Sequence, residues 1–124
     1  MTDIFWISLG AVIGANLRYF VSTWAMNVLS PSLPLGTVIV NMTGSFLLGY
    51  FLIWTSERVL VDPHWRLLVA VGFCGAYTTF SSYSFETLEL FEGGHYSIAI
   101  ANFVANNLLA LLAVLGGAVL ARVI

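Results

Sequence analysis

Four stretches of this chain are each long and apolar enough to cross a bilayer as a helix. A hydrocarbon core of about 30 Å needs roughly 20 helical residues. The stretches are about 4–28, 33–54, 66–91 and 96–122. They are too continuously apolar for the alternating strands of a membrane barrel. The connections are short: "LSPS" with Pro31 and the nearby Pro34, then "TSERVLVDPHW", then "EGGHY". No linker or second domain fits, so one four-helix transmembrane domain over 1–124 is expected, in an all-α membrane protein. Only 8% of the residues are charged, against roughly 25% in soluble domains. So few charges cannot cover a water-facing surface. The first span lacks a basic leader and a small-residue cleavage site, and is expected to remain a span.

The third span is unusual. It starts apolar, "RLLVAVGFCGA", and turns polar in "GAYTTFSSYSFET", residues 75–87. Gly72, Gly75 and Ala76 are small residues just before the change, and Thr78 or Thr79 suits a new helix cap. Non-helical backbone at membrane depth is tolerated only where it faces protein or a water-filled path. The sequence therefore predicts two half-helices with a break near 75–79. A continuous helix, its hydroxyls bonded back to its own carbonyls, is the alternative. Broken helices put free carbonyls and amides at the midplane, where ions can be held.

Polar stripes run along the other spans. Thr37, Asn41 and Ser45 share one helix face at i, i+4, i+8. Asn102 and Asn106 share another, with Asn107 beside them. Thr79, Ser82 and Glu86 follow at i, i+3, i+7. Such residues either line an aqueous path or join helices by hydrogen bonds. The chain has no lysine. Arg18 is the one intramembrane cation candidate; it either snorkels to the interface or attracts an anion at a vestibule. Phe80 and Tyr83 either pack or present electropositive ring edges to an anion. Gly10 and Gly14, and Gly44 and Gly49, permit close helix approach within the chain or at a dimer face.

Several functions are disfavoured. With net charge −2 and no basic run, nucleic acid is not an expected partner. The single Cys74 offers neither an internal disulfide nor a thiol metal site. His64 and His95 lie in loops without catalytic partners, so no enzyme is expected. Asp3, Glu57, Asp62, Glu89 and Glu92 lie at span ends or in loops, while Glu86 is deeper.

"GFCGAYTTFSSYSFET", residues 72–87, resembles the signature GxxGGxTTFSTFxxE of the Fluc (CrcB) fluoride channel family. "GANLRY" resembles its first-helix motif and "PLGTVIVNMTGSFLLG" its second-helix motif. The resemblance covers the whole chain. It implies a fluoride-selective passive channel that exports fluoride across the bacterial inner membrane and protects against fluoride toxicity. It implies an antiparallel, dual-topology homodimer in the lipid bilayer, with two pores and the third helix broken at mid-membrane. A central structural sodium is implied, held by backbone carbonyls of Gly75 and Thr78. The implied fluoride pore uses Phe80, Tyr83, Asn41, Ser82, Glu86, Arg18 and Asn106. The chain departs from the family pattern at Ala76 for glycine, Tyr83 for phenylalanine and Ser82 for threonine.

Arg58, Arg66 and Arg122 fall on the N-terminal side of the spans and Arg18 on the other, a lean toward cytoplasmic termini. Dual topology implies little bias, and the family expectation is preferred. The alternative function is a small proton-coupled multidrug exporter, also a four-span dimer. That chemistry needs an embedded carboxylate, and only Glu86 is available. A structural subunit using its polar stripes as glue is a third class.

Overall fold

Proline and glycine set most helix ends in the computed structural model, which describes all residues, Met1–Ile124. Helix α1 (Thr2–Val28) stops ahead of the Pro31–Pro34 segment, and α2 (Leu35–Glu57) begins directly after Pro34. The start falls two residues later than expected because a residue before proline, here Leu33, is biased away from helix. Pro63 opens α3 (Pro63–Arg66), with the Asp62 carboxylate accepting the His64 N–H. That turn runs into a π-helical segment, Leu67–Cys74, and then a last α-helical turn, α4 (Gly75–Tyr77). After Thr78 and Thr79 comes α5 (Phe80–Glu92). Gly94 then takes a φ of 81°, a turn conformation that suits glycine, before α6 (Tyr96–Val123).

The chain is all-helical, with no strand. Three helices, α1, α2 and α6, are long and apolar enough to cross a membrane. The stretch from Pro63 to Glu92 is assembled from shorter pieces. The chain is a multi-pass membrane protein, and most of its large apolar side chains face outward.

Glycines decide which helices touch. Gly10 lies against the Leu68 carbonyl and Phe73 amide, an i, i+5 pair of the π turn, and Gly14 lies against the Phe73 carbonyl. Gly72 faces the Ile7 carbonyl from the other side. The Gly10–Gly14 motif therefore packs against the π-helical segment of its own chain. Gly49 meets the Val114 carbonyl and Gly117 the Phe46 carbonyl, joining α2 to α6. In lipid, where apolar burial gives helices little reason to associate, such backbone contact supplies dispersion energy.

One end of the bundle is tied by charge. Arg58 Nε donates to the Ala121 carbonyl at 3.2 Å and Nη2 to the Arg122 carbonyl at 2.8 Å. These are carbonyls of the last turn of α6, which lack donors within the helix. Arg122 pairs with Glu57 at 3.0 Å. His64 lies in the first turn of α3 rather than in a loop as expected, because Pro63 and the Asp62 cap start a helix there. Its Nδ1 sits 2.7 Å from Asp62 and its Nε2 3.9 Å from Asp3. His64 thus has acidic neighbours that the expected loop position did not disclose.

Candidate functional site

Between α4 and α5 the backbone leaves helical geometry for two residues. Thr78 has φ −81° and ψ 159°; Thr79 has φ −149° and ψ 123°. The Thr78 N–H and Oγ1 both donate to the Cys74 carbonyl, at 3.0 and 2.9 Å, closing α4. Thr79 is the cap of α5: its Oγ1 accepts the Ser82 N–H at 3.2 Å. Extended backbone strips Thr79 of helical partners, and a buried N–H or C=O left unpaired is costly.

Asn41 supplies both partners. Its Oδ1 accepts the Thr79 N–H at 2.7 Å, and its Nδ2 donates to the Thr79 carbonyl at 2.9 Å. The other Nδ2 proton goes to Asn106 Oδ1 at 2.8 Å. Asn106 Nδ2 donates in turn to the carbonyl and Oδ1 of Asn102, at 2.9 and 3.0 Å. Asn102 Nδ2 donates to Thr87 Oγ1 at 3.0 Å, and Thr87 Oγ1 to the Tyr83 carbonyl at 2.7 Å. A hydrogen-bonded relay thus runs from α2 through α6 to α5. All three amides are buried. Backbone groups fix their orientation: Asn41 Oδ1 meets an N–H, and Asn106 Nδ2 meets a carbonyl.

A cavity of about 360 Å³ opens beside the interruption. Asn41, Thr79, Phe80, Tyr83, Asn106 and Asn107 are among its lining residues. The Phe80 and Tyr83 rings meet edge to face, centroids 5.2 Å apart at 74°. Phe80 is 75% exposed, whereas Tyr83 is only 6% exposed. The structure therefore brings together Asn41, Phe80, Tyr83 and Asn106, with Thr78 at the edge of the same cavity.

The remaining sequence candidates lie elsewhere. Glu86 borders a separate cavity of about 440 Å³ with Thr37, Glu89 and His95. Its Oε1 accepts the Thr37 hydroxyl at 2.7 Å, while Oε2 is enclosed without a hydrogen-bond partner. Arg18 lines neither cavity, and its Nε is enclosed without a partner. Ser82 also lines neither; its N–H serves the Thr79 cap. Gly75 is exposed, and a methyl group added there would meet no other atom of the chain.

Sequence reasoning missed some partners. Asn107 donates to the Tyr83 hydroxyl at 3.0 Å, and Thr43 and Tyr77 share a 2.9 Å hydroxyl bond. The i, i+4 spacing of the asparagines placed them on one face but named no acceptor across the helix boundary.

Three helices long and apolar enough to cross a membrane, with buried amides converging between helices, define a multi-pass helical membrane protein with a polar interior. Residues 5–118 match the family described as CrcB-like protein, Camphor Resistance (CrcB). The chain belongs to this family. A Koribacter versatilis (strain Ellin345) protein named "Fluoride-specific ion channel FluC" is 52% identical over 120 residues, covering 97% of this chain and 95% of the relative. A protein of the same name from Sulfurihydrogenibium sp. (strain YO3AOP1) is 46% identical over 118 residues, 95% of each chain. One from Saccharophagus degradans (strain 2-40 / ATCC 43961 / DSM 17024) is 43% identical over 115 residues, 92% of this chain and 85% of the relative.

Proposed function

We propose that this chain is a fluoride-selective passive channel of the bacterial inner membrane, exporting fluoride and limiting its toxicity. One observation carries the reading: near full-length identity of 52% to a relative named as a fluoride-specific ion channel. The cavity beside the interruption supports it chemically. Fluoride is small and strongly hydrated, so a pore must replace its water with closely spaced donors. Hydroxyls, amides and aromatic edges are neutral donors that hold an anion without trapping it as a fixed cation would.

Phe80 and Tyr83 line the path in this reading, with Asn41 and Asn106 behind them. Asn41 has both amide protons engaged, so its first task is to clamp Thr79 and thereby present Phe80 and Tyr83. Glu86 extends the polar track at the cavity shared with Thr37, whereas Ser82 and Arg18, which line neither cavity, are assigned to the track and its mouth by the family pattern alone.

We assign the pore to an antiparallel, dual-topology homodimer with two paths and a central sodium. The open surface around Gly75 and Phe80 supports a second copy there, because a polar cavity at membrane depth needs cover from lipid. The Gly75 and Thr78 carbonyls fit a hard cation. They lie where the helix ends, so they lack the donors that interior carbonyls have. Two carbonyls alone leave a hard cation short of ligands, and a symmetric partner would double the set. Sodium bound there supplies fixed positive potential between the two paths.

The test is ion efflux from liposomes carrying the purified protein. Fluoride efflux well above that of protein-free vesicles is expected, with chloride efflux near background. Fluoride efflux no faster than from empty vesicles would overturn the reading.

A further inference from the structure

We infer that Tyr83 and Asn107 form a donor pair for the permeating anion: the Tyr83 phenol O–H binds it, and Asn107 holds that hydroxyl in place. This rests on reading the Phe80 cavity as an anion path. Asn107 Nδ2 lies 2.8 Å from the Phe103 carbonyl and 3.0 Å from the Tyr83 oxygen. A carbonyl oxygen can only accept, so the group facing Phe103 is the NH2, and its second proton goes to the phenol. The Tyr83 oxygen is therefore the acceptor in this bond. Its own proton is left to donate, and no hydrogen bond within the chain uses it.

Three features make that proton suited to an anion. A hydroxyl that accepts one hydrogen bond becomes a stronger donor of the next. Tyr83 is nearly buried, and both it and Asn107 border the cavity beside Thr79 and Phe80. Burial of Tyr83, with ring contacts to Phe80 and Phe103, leaves the phenol few alternative positions.

Asn107 itself is hard to explain as packing. It is exposed on a helix face where Phe103, Val104, Leu108 and Leu111 are also exposed. An amide among such residues in a membrane-crossing helix is costly and marks function by default. The back-bond to Phe103 uses one of its protons, and Tyr83 takes the other. The ligand class is a small, hard, strongly accepting anion. A polarised O–H favours fluoride over larger halides, whose charge is more diffuse.

The experiment is conductance of the full-length protein in planar bilayers over a range of fluoride concentrations. Tyr83→Phe keeps the ring edge and loses one charge-assisted hydrogen bond. It is expected to conduct still, with the half-saturating fluoride concentration raised about tenfold. Asn107→Ala, which frees the hydroxyl to rotate, is expected to raise it about threefold. The double variant is expected to match Tyr83→Phe alone. A purely structural Asn107 would instead shift the value equally in both backgrounds, and that result overturns the pairing. An unchanged half-saturation in Tyr83→Phe also overturns it while leaving the proposed function standing. A wild-type protein that passes no fluoride removes both.

Discussion

Two seams hold this molecule together, and they work by opposite means. Along the glycine seam, Gly10, Gly14 and Gly72 bring the backbones of α1 and the π-helical segment into contact. Around the interruption, Asn41, Asn106 and Asn102 join α2, α6 and α5 through hydrogen bonds. The first seam excludes side chains and offers no chemistry. The second closes one buried amide, Asn41, on the extended Thr79, links the others in a relay to Thr87, and borders the cavity. Shape carries the stability of the one, and donor–acceptor matching carries the other. The second seam sits where helical hydrogen bonding stops, at Thr78 and Thr79.

Volume should break the glycine seam first. Gly10→Val drives a branched side chain into the Leu68 carbonyl, where no flexible group can yield. A loss of about 3 kcal/mol or more is expected, read as loss of a monodisperse, folded species in detergent. Gly116→Ala is the control. Its nearest neighbour is the Phe46 ring at 3.9 Å, so a shift below about 0.5 kcal/mol is expected. Equal tolerance of both variants would show that the seam is not close-packed.

Asn41→Leu attacks the second seam. It leaves the Thr79 N–H and C=O unpaired, at an expected cost of about 2–4 kcal/mol. Thermal unfolding in detergent should report the loss, and fluoride flux should fall with it. Asn41→Asp keeps the acceptor for the Thr79 N–H but loses both donors, and should not rescue the protein. Asn102→Ala shortens the relay at its far end, with an expected cost of about 1 kcal/mol. A cost as large as that of Asn41→Leu would mean that the relay acts as one unit.

The smallest expected effect lies outside both seams. The His64 backbone N–H, then its side chain, hold the Asp62 carboxyl below the ordinary carboxylate range. A depressed folded value stabilises above the unfolded pKa and is lost as pH falls through the folded one. Asp62→Asn should therefore flatten a shallow loss of stability at acid pH and change little at neutrality. Because Asp62 is exposed, solvent screens the effect.

Much of the frame was legible in the sequence. Runs of apolar residues marked the crossings, and Pro34, Pro63 and Gly94 punctuate them as local backbone rules require. The threonines at 78 and 79 flagged the start of α5, since a hydroxyl cap is a local feature. What stayed hidden depends on contacts between distant segments. Nothing near Asn41 in sequence indicates that its amide closes on Thr79. The π turn arises in a stretch, "LLVAVGFC", whose one helix-weakening residue, Gly72, does not itself prescribe i, i+5 bonding. The "GAVIG" motif allowed a dimer face or an internal one, and only the backbone of Leu68 and Phe73 decides between them. The i, i+4 asparagines gave a shared face, whereas their acceptors belong to other helices.

The most direct measurement is the reversal potential of the full-length protein in a planar bilayer under opposed fluoride and chloride gradients. A current whose reversal follows the fluoride gradient is expected, with Asn41→Leu greatly reducing its size. Reversal that follows chloride, or no current beyond that of the bare membrane, would contradict a fluoride path beside Thr79 and Phe80.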